Sequence, residues 1–248
     1  MANFTESTFV KHEPCPECGS SDALSRYSDN HAVCFSCKHY IHGDGSVVNP
    51  NQTRARPLEM TGTISAIQDR RISMDTAKRF GVTVEHDASG SITKHHYPYY
   101  SQEGDKVVGT KVRGVADKSF YATGDMQSAG LFGQQTFAAG GKYITITEGE
   151  IDAMAAYEMN GGFPAVSIRS GANSAVKDIK ASLEYLETFD NVVICFDADS
   201  AGTEAAQAVL PLFSPRKAKV CTLPLKDAGE MLKANKVREY TKCWWDAK

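Results

Sequence analysis

Four of the seven cysteines fall into one pattern. Cys15-Pro-Glu-Cys18 and Cys34-Phe-Ser-Cys37 form two C-x2-C pairs separated by fifteen residues. Each pair can aim two thiolates at one point, and two such knuckles complete a tetrahedral sulfur shell suited to zinc. The competing chemistry is a pair of disulfides or a redox dithiol. Disulfides need an oxidising compartment, and the opening residues Met1-Ala2-Asn3-Phe4-Thr5-Glu6 carry neither the basic nor the apolar stretch of a secretory signal. Four thiolates leave no open coordination position, so a zinc ion here is architectural. About forty residues bury too little to fold alone, and structural zinc contributes on the order of 10 kcal/mol or more to such modules. Cys195, Cys221 and Cys243 are isolated. The first two sit in apolar strand-like runs and read as inert core.

The second chemical set is acidic: Glu148-Gly149-Glu150 with Asp152, Asp197-Ala198-Asp199, and Asp227. Each group follows an apolar run. Taken singly, each acid is explained as a helix N-cap; capping leaves the recurrence at three strand ends unexplained. Crowded carboxylates raise one another's pKa unless a cation compensates, and several hard oxygen ligands with room for water and phosphate suit Mg²⁺, with Mn²⁺ as a possible substitute. If the strand continued past Phe196, Asp197 and Asp199 would share one face.

The elements that must hold these groups follow from periodicity. Ser73 is placed to cap a short helix containing Ala77 and Phe80. Val82 to His86, Thr93 to Tyr100 and Lys106 to Arg113 read as hairpin strands, with turns at Gly90 and Glu103-Gly104. From Tyr143 onward, strands and helices alternate. Strands are predicted at Tyr143 to Thr147, Pro164 to Ile168, Asn191 to Phe196 and Ala218 to Leu223. Helices are predicted at 151–160, along Val176, Ile179, Leu183 and Leu186, and along Ala206, Val209, Leu210 and Phe213. This alternation is the mark of an α/β domain with a mainly parallel sheet. Its most apolar strand, Asn191 to Phe196, belongs in the middle, and ligands bind at the carboxyl ends of such strands. The stretch from Gly43 to Pro57 lacks periodicity, is rich in turn formers, and reads as a flexible linker.

The chain has 248 residues, 42% hydrophobic and 23% charged, with a formal net charge of −3. That composition is globular. No apolar run approaches a membrane span, and a slightly acidic chain does not coat nucleic acid by bulk charge. The expected location is the cytoplasm, without membrane attachment.

Thr147-Glu148-Gly149-Glu150-Ile151-Asp152 and Phe196-Asp197-Ala198-Asp199-Ser200-Ala201-Gly202 resemble the two signatures of the Toprim domain. Preceded by a four-cysteine zinc ribbon, they make the chain similar to the primase half of the bifunctional primase-helicases of T-odd bacteriophages. The resemblance extends to Ser28-Asp29-Asn30-His31, Lys111-Val112-Arg113, Asp117-Lys118-Ser119-Phe120 and Lys226-Asp227-Ala228. It implies template-directed joining of two ribonucleoside triphosphates on single-stranded DNA during phage DNA replication. Glu148 would be the acid-base or metal-proximal carboxylate, and Asp197, Asp199 and Asp227, with Glu148 beside them, would hold Mg²⁺. Glu150 and Asp152 match the motif in supporting roles. Lys111, Arg113 and Lys118 would hold nucleotide or template phosphates, with Arg70 on the template path; Tyr121 stands where related sequences carry another basic residue. His31, with Asp29, would read the template, and Tyr27 and Phe35 are candidate stacking partners; His39 and His42 carry a weaker signal. The implied organisation is a zinc-binding template-recognition domain at 1–42, a linker at 43–58, and an RNA polymerase domain at 59–248 with subdomains 59–140 and 141–230.

No G-x-x-x-x-G-K-[ST] loop occurs, since Gly141-Lys142 is followed by Tyr143 and Thr136 holds the first glycine's place. These residues therefore do not supply a helicase motor; the resemblance implies a hexameric helicase as a C-terminal fusion or in trans, unless the primase stands alone, with the replicative DNA polymerase as a further partner. If the chain is phage-encoded, the compartment is the bacterial host's cytoplasm. Two alternatives share the motifs. A Toprim nuclease would use the same carboxylates to activate water. A non-catalytic zinc-Toprim recombination mediator would carry a helix-hairpin-helix ahead of its zinc, for which fourteen residues before Cys15 leave no room.

Overall fold

The computed structural model describes residues 7–43 and 56–248. The chain divides into two compact units, Met1–Ala55 and Arg56–Lys248. Most of the linker expected over 43–58 lies outside the described residues.

In the first unit, β1 (Phe9–Glu13), β2 (Leu24–Tyr27), β3 (Ala32–Cys34) and β4 (Tyr40–Ile41) pair antiparallel in chain order. Their apolar centre is Cys15, Leu24, Ala32 and Cys34, with Ala23 and Ile41 against it. Two of the four central residues are thus cysteines of the C-x2-C pairs. So small a core needs cross-linking to hold.

In the second unit a 3-10 turn at Gln68–Arg70 precedes the first α-helix, α1 (Met74–Phe80). Ser73 caps it as its type predicts, its hydroxyl accepting the Thr76 N–H, and Gly81 ends it in the left-handed conformation at φ 73°. An antiparallel sheet follows: β5 (Thr83–His86), β6 (Ile92–Tyr100), β7 (Val107–Gly114) and β8 (Phe120–Gly124). The first three match the sequence reading; β8 is additional.

Then come β9 (Gly141–Thr147), α2 (Glu150–Met159), β10 (Ala165–Ser167), α3 (Ala175–Ala181), α4 (Leu183–Glu187), β11 (Phe189–Ile194), α5 (Ser200–Val209), β12 (Ala218–Val220), α6 (Ala228–Lys233) and α7 (Val237–Trp245). The strands lie in the order β10-β9-β11-β12, and every pair is parallel. The apolar β11 is interior, as its composition requires. Where one helix was expected across 176–186 there are two. They meet at buried Ser182, whose hydroxyl donates to Gln102 Oε1 at 3.2 Å.

The two sheets of this unit share one core, in which Phe80 stacks on Phe132 at 5.5 Å beside Tyr97, Tyr99, Ile144 and Ile146. The basic-aromatic residues Lys242 to Trp245 form the last turn of α7. Trp244 is buried, and its indole N–H donates to Thr145 Oγ1 at 2.9 Å, pinning the helix to β9. No helix among the described residues is long and apolar enough to cross a membrane.

Candidate active site

A cleft of about 780 Å³ in the second unit brings residues of β7 and β8 against the segments that follow β9, β10 and β11. Its acidic side carries Glu148, Glu150, Asp152, Asp197 and Asp227. Glu148 Oε1 accepts the Asp197 N–H at 3.1 Å, tying two strand ends together. The contact requires Gly202: a Cβ there would strike the Asp197 carbonyl oxygen and come within 2.6 Å of Glu148 Oε1. Burial, and then the Asp197 charge, raises the Glu148 pKa. Burial also raises Asp197, although Lys226 Nζ lies 3.1 Å from its Oδ2 and opposes the shift. Asp152 is pushed far up by burial and by Asp227, while accepting the Gly229 N–H at 2.8 Å.

Two of the expected acids are also helix caps. Asp199 accepts the Gly202 N–H at 2.9 Å at the start of α5, and Asp227 accepts the Glu230 N–H at 2.7 Å at the start of α6. Capping and clustering therefore coexist. The strand ends at Ile194, so period-two alternation does not relate Asp197 to Asp199. Asp227 lines the cleft with Glu148 and Asp197; Asp199 is not among the lining residues. The donors are all hard oxygens; burial first and neighbouring carboxylates after it raise Glu148, Asp152 and Asp197, and one ammonium, Lys226, is nearby; this chemistry fits a divalent cation. Among the described residues, the cysteines form the only group whose ligand atoms all lie within 4.8 Å of one another, so the carboxylates are not drawn into one shell.

The opposite side is basic: Arg70, Lys111, Arg113 and Lys118, with Phe120 and Tyr121. Lys111 and Arg113 share one face of β7, as the i, i+2 spacing predicts. Lys111 Nζ is bonded to Glu150 Oε1, which Tyr99 also reaches with its hydroxyl at 2.5 Å. Glu150 is thus a buried brace for Lys111. Arg113 lies over the Phe120 ring at 5.5 Å, and Arg70 Nη1 is 3.7 Å from Glu230 Oε1. Tyr121 sits under the Arg56 guanidinium at 4.8 Å. One residue absent from the sequence reading organises the floor. Arg169, just past β10, is clamped by Asp178 and gives Nη1 to the carbonyls of Met126, Gln127 and Ala129. Its position beyond a parallel strand, like that of the acids, was the available signal.

In the first unit, Cys15 and Cys37 Sγ are 3.6 Å apart and Cys18 and Cys34 Sγ 3.7 Å. A tetrahedral Zn–S shell of about 2.3 Å has edges of about 3.8 Å, so the four thiols are placed as zinc ligands. The backbone N–H of Cys37 is the first cause holding the Cys34 thiol down to about 7. His31 bonds Asp29 Oδ1 through Nδ1 at 2.5 Å and stacks on Tyr27 at 4.3 Å. Tyr40 lies against its ring at 5.7 Å and meets His42 edge-on, a row that spacing could not reveal. Phe35 is 58% exposed.

Fold and site together define a zinc-ribbon protein with a Toprim core, and the Toprim-like family model matches residues 145–232. A DNA helicase/primase of Enterobacteria phage T3 is 34% identical over 244 residues, covering 93% of this chain and 42% of the relative. The crystal structure of the primase fragment of the bacteriophage T7 primase-helicase aligns with TM-score 0.70 at 33% identity, covering 96% of this chain and 100% of the fragment. A second T7 structure has lagging-strand DNA polymerase interacting with primase domains bound to an RNA/DNA hybrid and dTTP. It aligns at TM-score 0.67 and 34% identity, over 75% of this chain and 93% of that one. The chain belongs to the family of the phage primase-helicases, on the primase side. It spans about two fifths of the T3 relative's length.

Proposed function

We propose that this chain is a DNA primase that joins ribonucleoside triphosphates on a single-stranded DNA template. The observation carrying the reading is the cleft itself, where strand-end carboxylates face Lys111, Arg113, Lys118 and Arg70, in a chain matched along its length by a phage primase fragment. The basic residues hold nucleotide and template phosphates by charge-assisted hydrogen bonds. Asp197, Asp199 and Asp227, with Glu148, would hold Mg²⁺, which would neutralise charge at the triphosphate and acidify the attacking hydroxyl; Mn²⁺ would suit the same donors. The 3′-oxygen of one nucleotide bonds to the α-phosphorus of the next as the bond to pyrophosphate breaks. Glu148, whose Oε1 is occupied by the Asp197 N–H, takes the hydroxyl proton on Oε2. Asp152 and Glu150 support this arrangement rather than react.

The first unit reads the template, with zinc on Cys15, Cys18, Cys34 and Cys37 as its frame. Asp29 orients His31, and the exposed rings beside it offer stacking surfaces to unpaired bases. The domain plan is a recognition domain at 1–42, a linker at 43–58 and a polymerase domain at 59–248. A hexameric helicase, fused or in trans, and the replicative DNA polymerase are the proposed partners, in the cytoplasm of a bacterial host.

The test is RNA synthesis from labelled ribonucleotides on single-stranded DNA with Mg²⁺. The expected result is short oligoribonucleotides from the wild type, none from Glu148→Gln, and altered template choice or start-up from His31→Ala. Template degradation in place of synthesis would assign the carboxylates to a nuclease.

A further inference from the structure

Strand pairing places His95 of β6 opposite Arg113 of β7, and Tyr97 opposite Lys111. Directly opposed residues share a sheet face with Cβ atoms about 5 Å apart. Tyr97, Lys111 and Arg113 line the cleft; His95 stands behind them, 1% exposed. Its Nδ1 lies 2.9 Å from the Tyr97 hydroxyl, and Arg113 bears on the same hydroxyl.

Two buried nitrogens in this neighbourhood, His95 Nε2 and Arg113 Nε, have no hydrogen-bond partner among the described residues, and a third, Arg70 Nε, has only the Asp69 carboxylate at 3.4 Å. An unmade buried hydrogen bond costs about 1–3 kcal/mol, so such a group calls for a reason. The two arginine nitrogens are obligate donors, and a neutral imidazole has one nitrogen that accepts. Burial is the first cause holding His95 down to about 4, with Arg113, Arg70 and His96 pushing the same way and Asp69 opposing them. The ring is therefore neutral near pH 7 and always offers one lone pair.

We propose that His95 is a positioning residue for phosphate binding, giving its Nδ1–H to the Tyr97 oxygen and accepting the Arg113 Nε–H on Nε2 when a phosphate enters the cleft. The inference rests on the phosphate-binding reading of Arg113. With Nε turned back toward His95 and Phe120 against the guanidinium, the two Nη groups point forward as the fork that phosphate oxygens accept. Tyr97, receiving the His95 proton donor, keeps its own O–H to donate into the cleft. The ligand is a phosphate group, which a nucleotide or the template strand can supply.

The test measures equilibrium binding of inorganic tripolyphosphate and of an oligothymidylate to the full chain. His95→Phe is expected to weaken one of them about tenfold, and His95→Gln, which keeps an acceptor, to recover most of the loss. In synthesis, the KM for ribonucleotide or template should rise while kcat holds. Loss confined to tripolyphosphate assigns the site to the nucleotide; loss confined to the oligothymidylate assigns it to the template. If Arg113→Ala weakens binding but His95→Phe does not, or if His95→Gln loses as much as His95→Phe, His95 only packs and the inference is overturned. If Arg113→Ala binds both probes like the wild type, the reading of Arg113 has failed first. Should His95→Phe not fold, Tyr97→Phe decides: a loss supports the relay, and wild-type binding overturns it.

Discussion

Replacing Asp178 with alanine should destabilise the second unit by about 3–5 kcal/mol, the cost of leaving half of a buried ion pair behind. Arg169 and Asp178 are 7% and 3% exposed. Asp178 accepts the Arg169 backbone N–H at 2.8 Å, Nε at 3.0 Å, Nη2 at 2.7 Å and the Ser174 hydroxyl at 3.0 Å. All four contacts vanish with the carboxylate, while the guanidinium stays tied to the carbonyls of Met126, Gln127 and Ala129 at 2.9–3.2 Å. For a unit of this size the loss lowers the thermal midpoint by about 6–20 °C. Both tryptophans lie in α7 of this unit, and Trp244 is buried, so fluorescence during urea unfolding follows the transition directly. Asp178→Asn, which keeps an acceptor, should fall between. Primer synthesis should fail at temperatures the wild type tolerates, because Arg169, Ser170 and Gly171 line the cleft. A loss below about 1 kcal/mol for Asp178→Ala would refute the reasoning, since it would mean the buried charge finds water or another partner at almost no cost.

Two further outcomes concern metal and pH. Chelation should release one zinc per chain and unfold the first unit, whose core of Cys15, Leu24, Ala32 and Cys34 cannot replace a contribution on the order of 10 kcal/mol. The fluorescence transition of the second unit should keep its midpoint; amide spectra unchanged by chelation would remove the metal from the account. The depressed pKa of His95 makes the unfolded chain bind a proton that the folded chain refuses. Its stability contribution is complete above about pH 6.5 and is lost as pH falls toward 4, by about 3 kcal/mol at most. His95→Gln should flatten that slope, and parallel curves for the two proteins would show that another group sets it.

Several features are legible in the sequence because they depend on short-range pattern. The C-x2-C spacing, the Ser73 cap, the apolar β11 and the acids after parallel strands need only local periodicity and residue chemistry. Where neighbours compete for the same groups, local reading stops short. Ser182, whose hydroxyl reaches Gln102 eighty residues away, sits where the predicted single helix is divided in two. Asp199 and Asp227 serve as caps because the chain leaves each strand before the acid arrives.

The pairings that make the cleft belong to tertiary structure alone. Glu150 meets Lys111 and Tyr99, Arg169 reaches the carbonyls near residue 127, and His95 comes to lie behind Arg113 through the register of β6 on β7. Spacing along a chain names which side chains share a face. Which face meets which is decided when the two sheets close on one core, because only that packing sets the distance and burial on which a hydrogen bond or a shifted pKa depends.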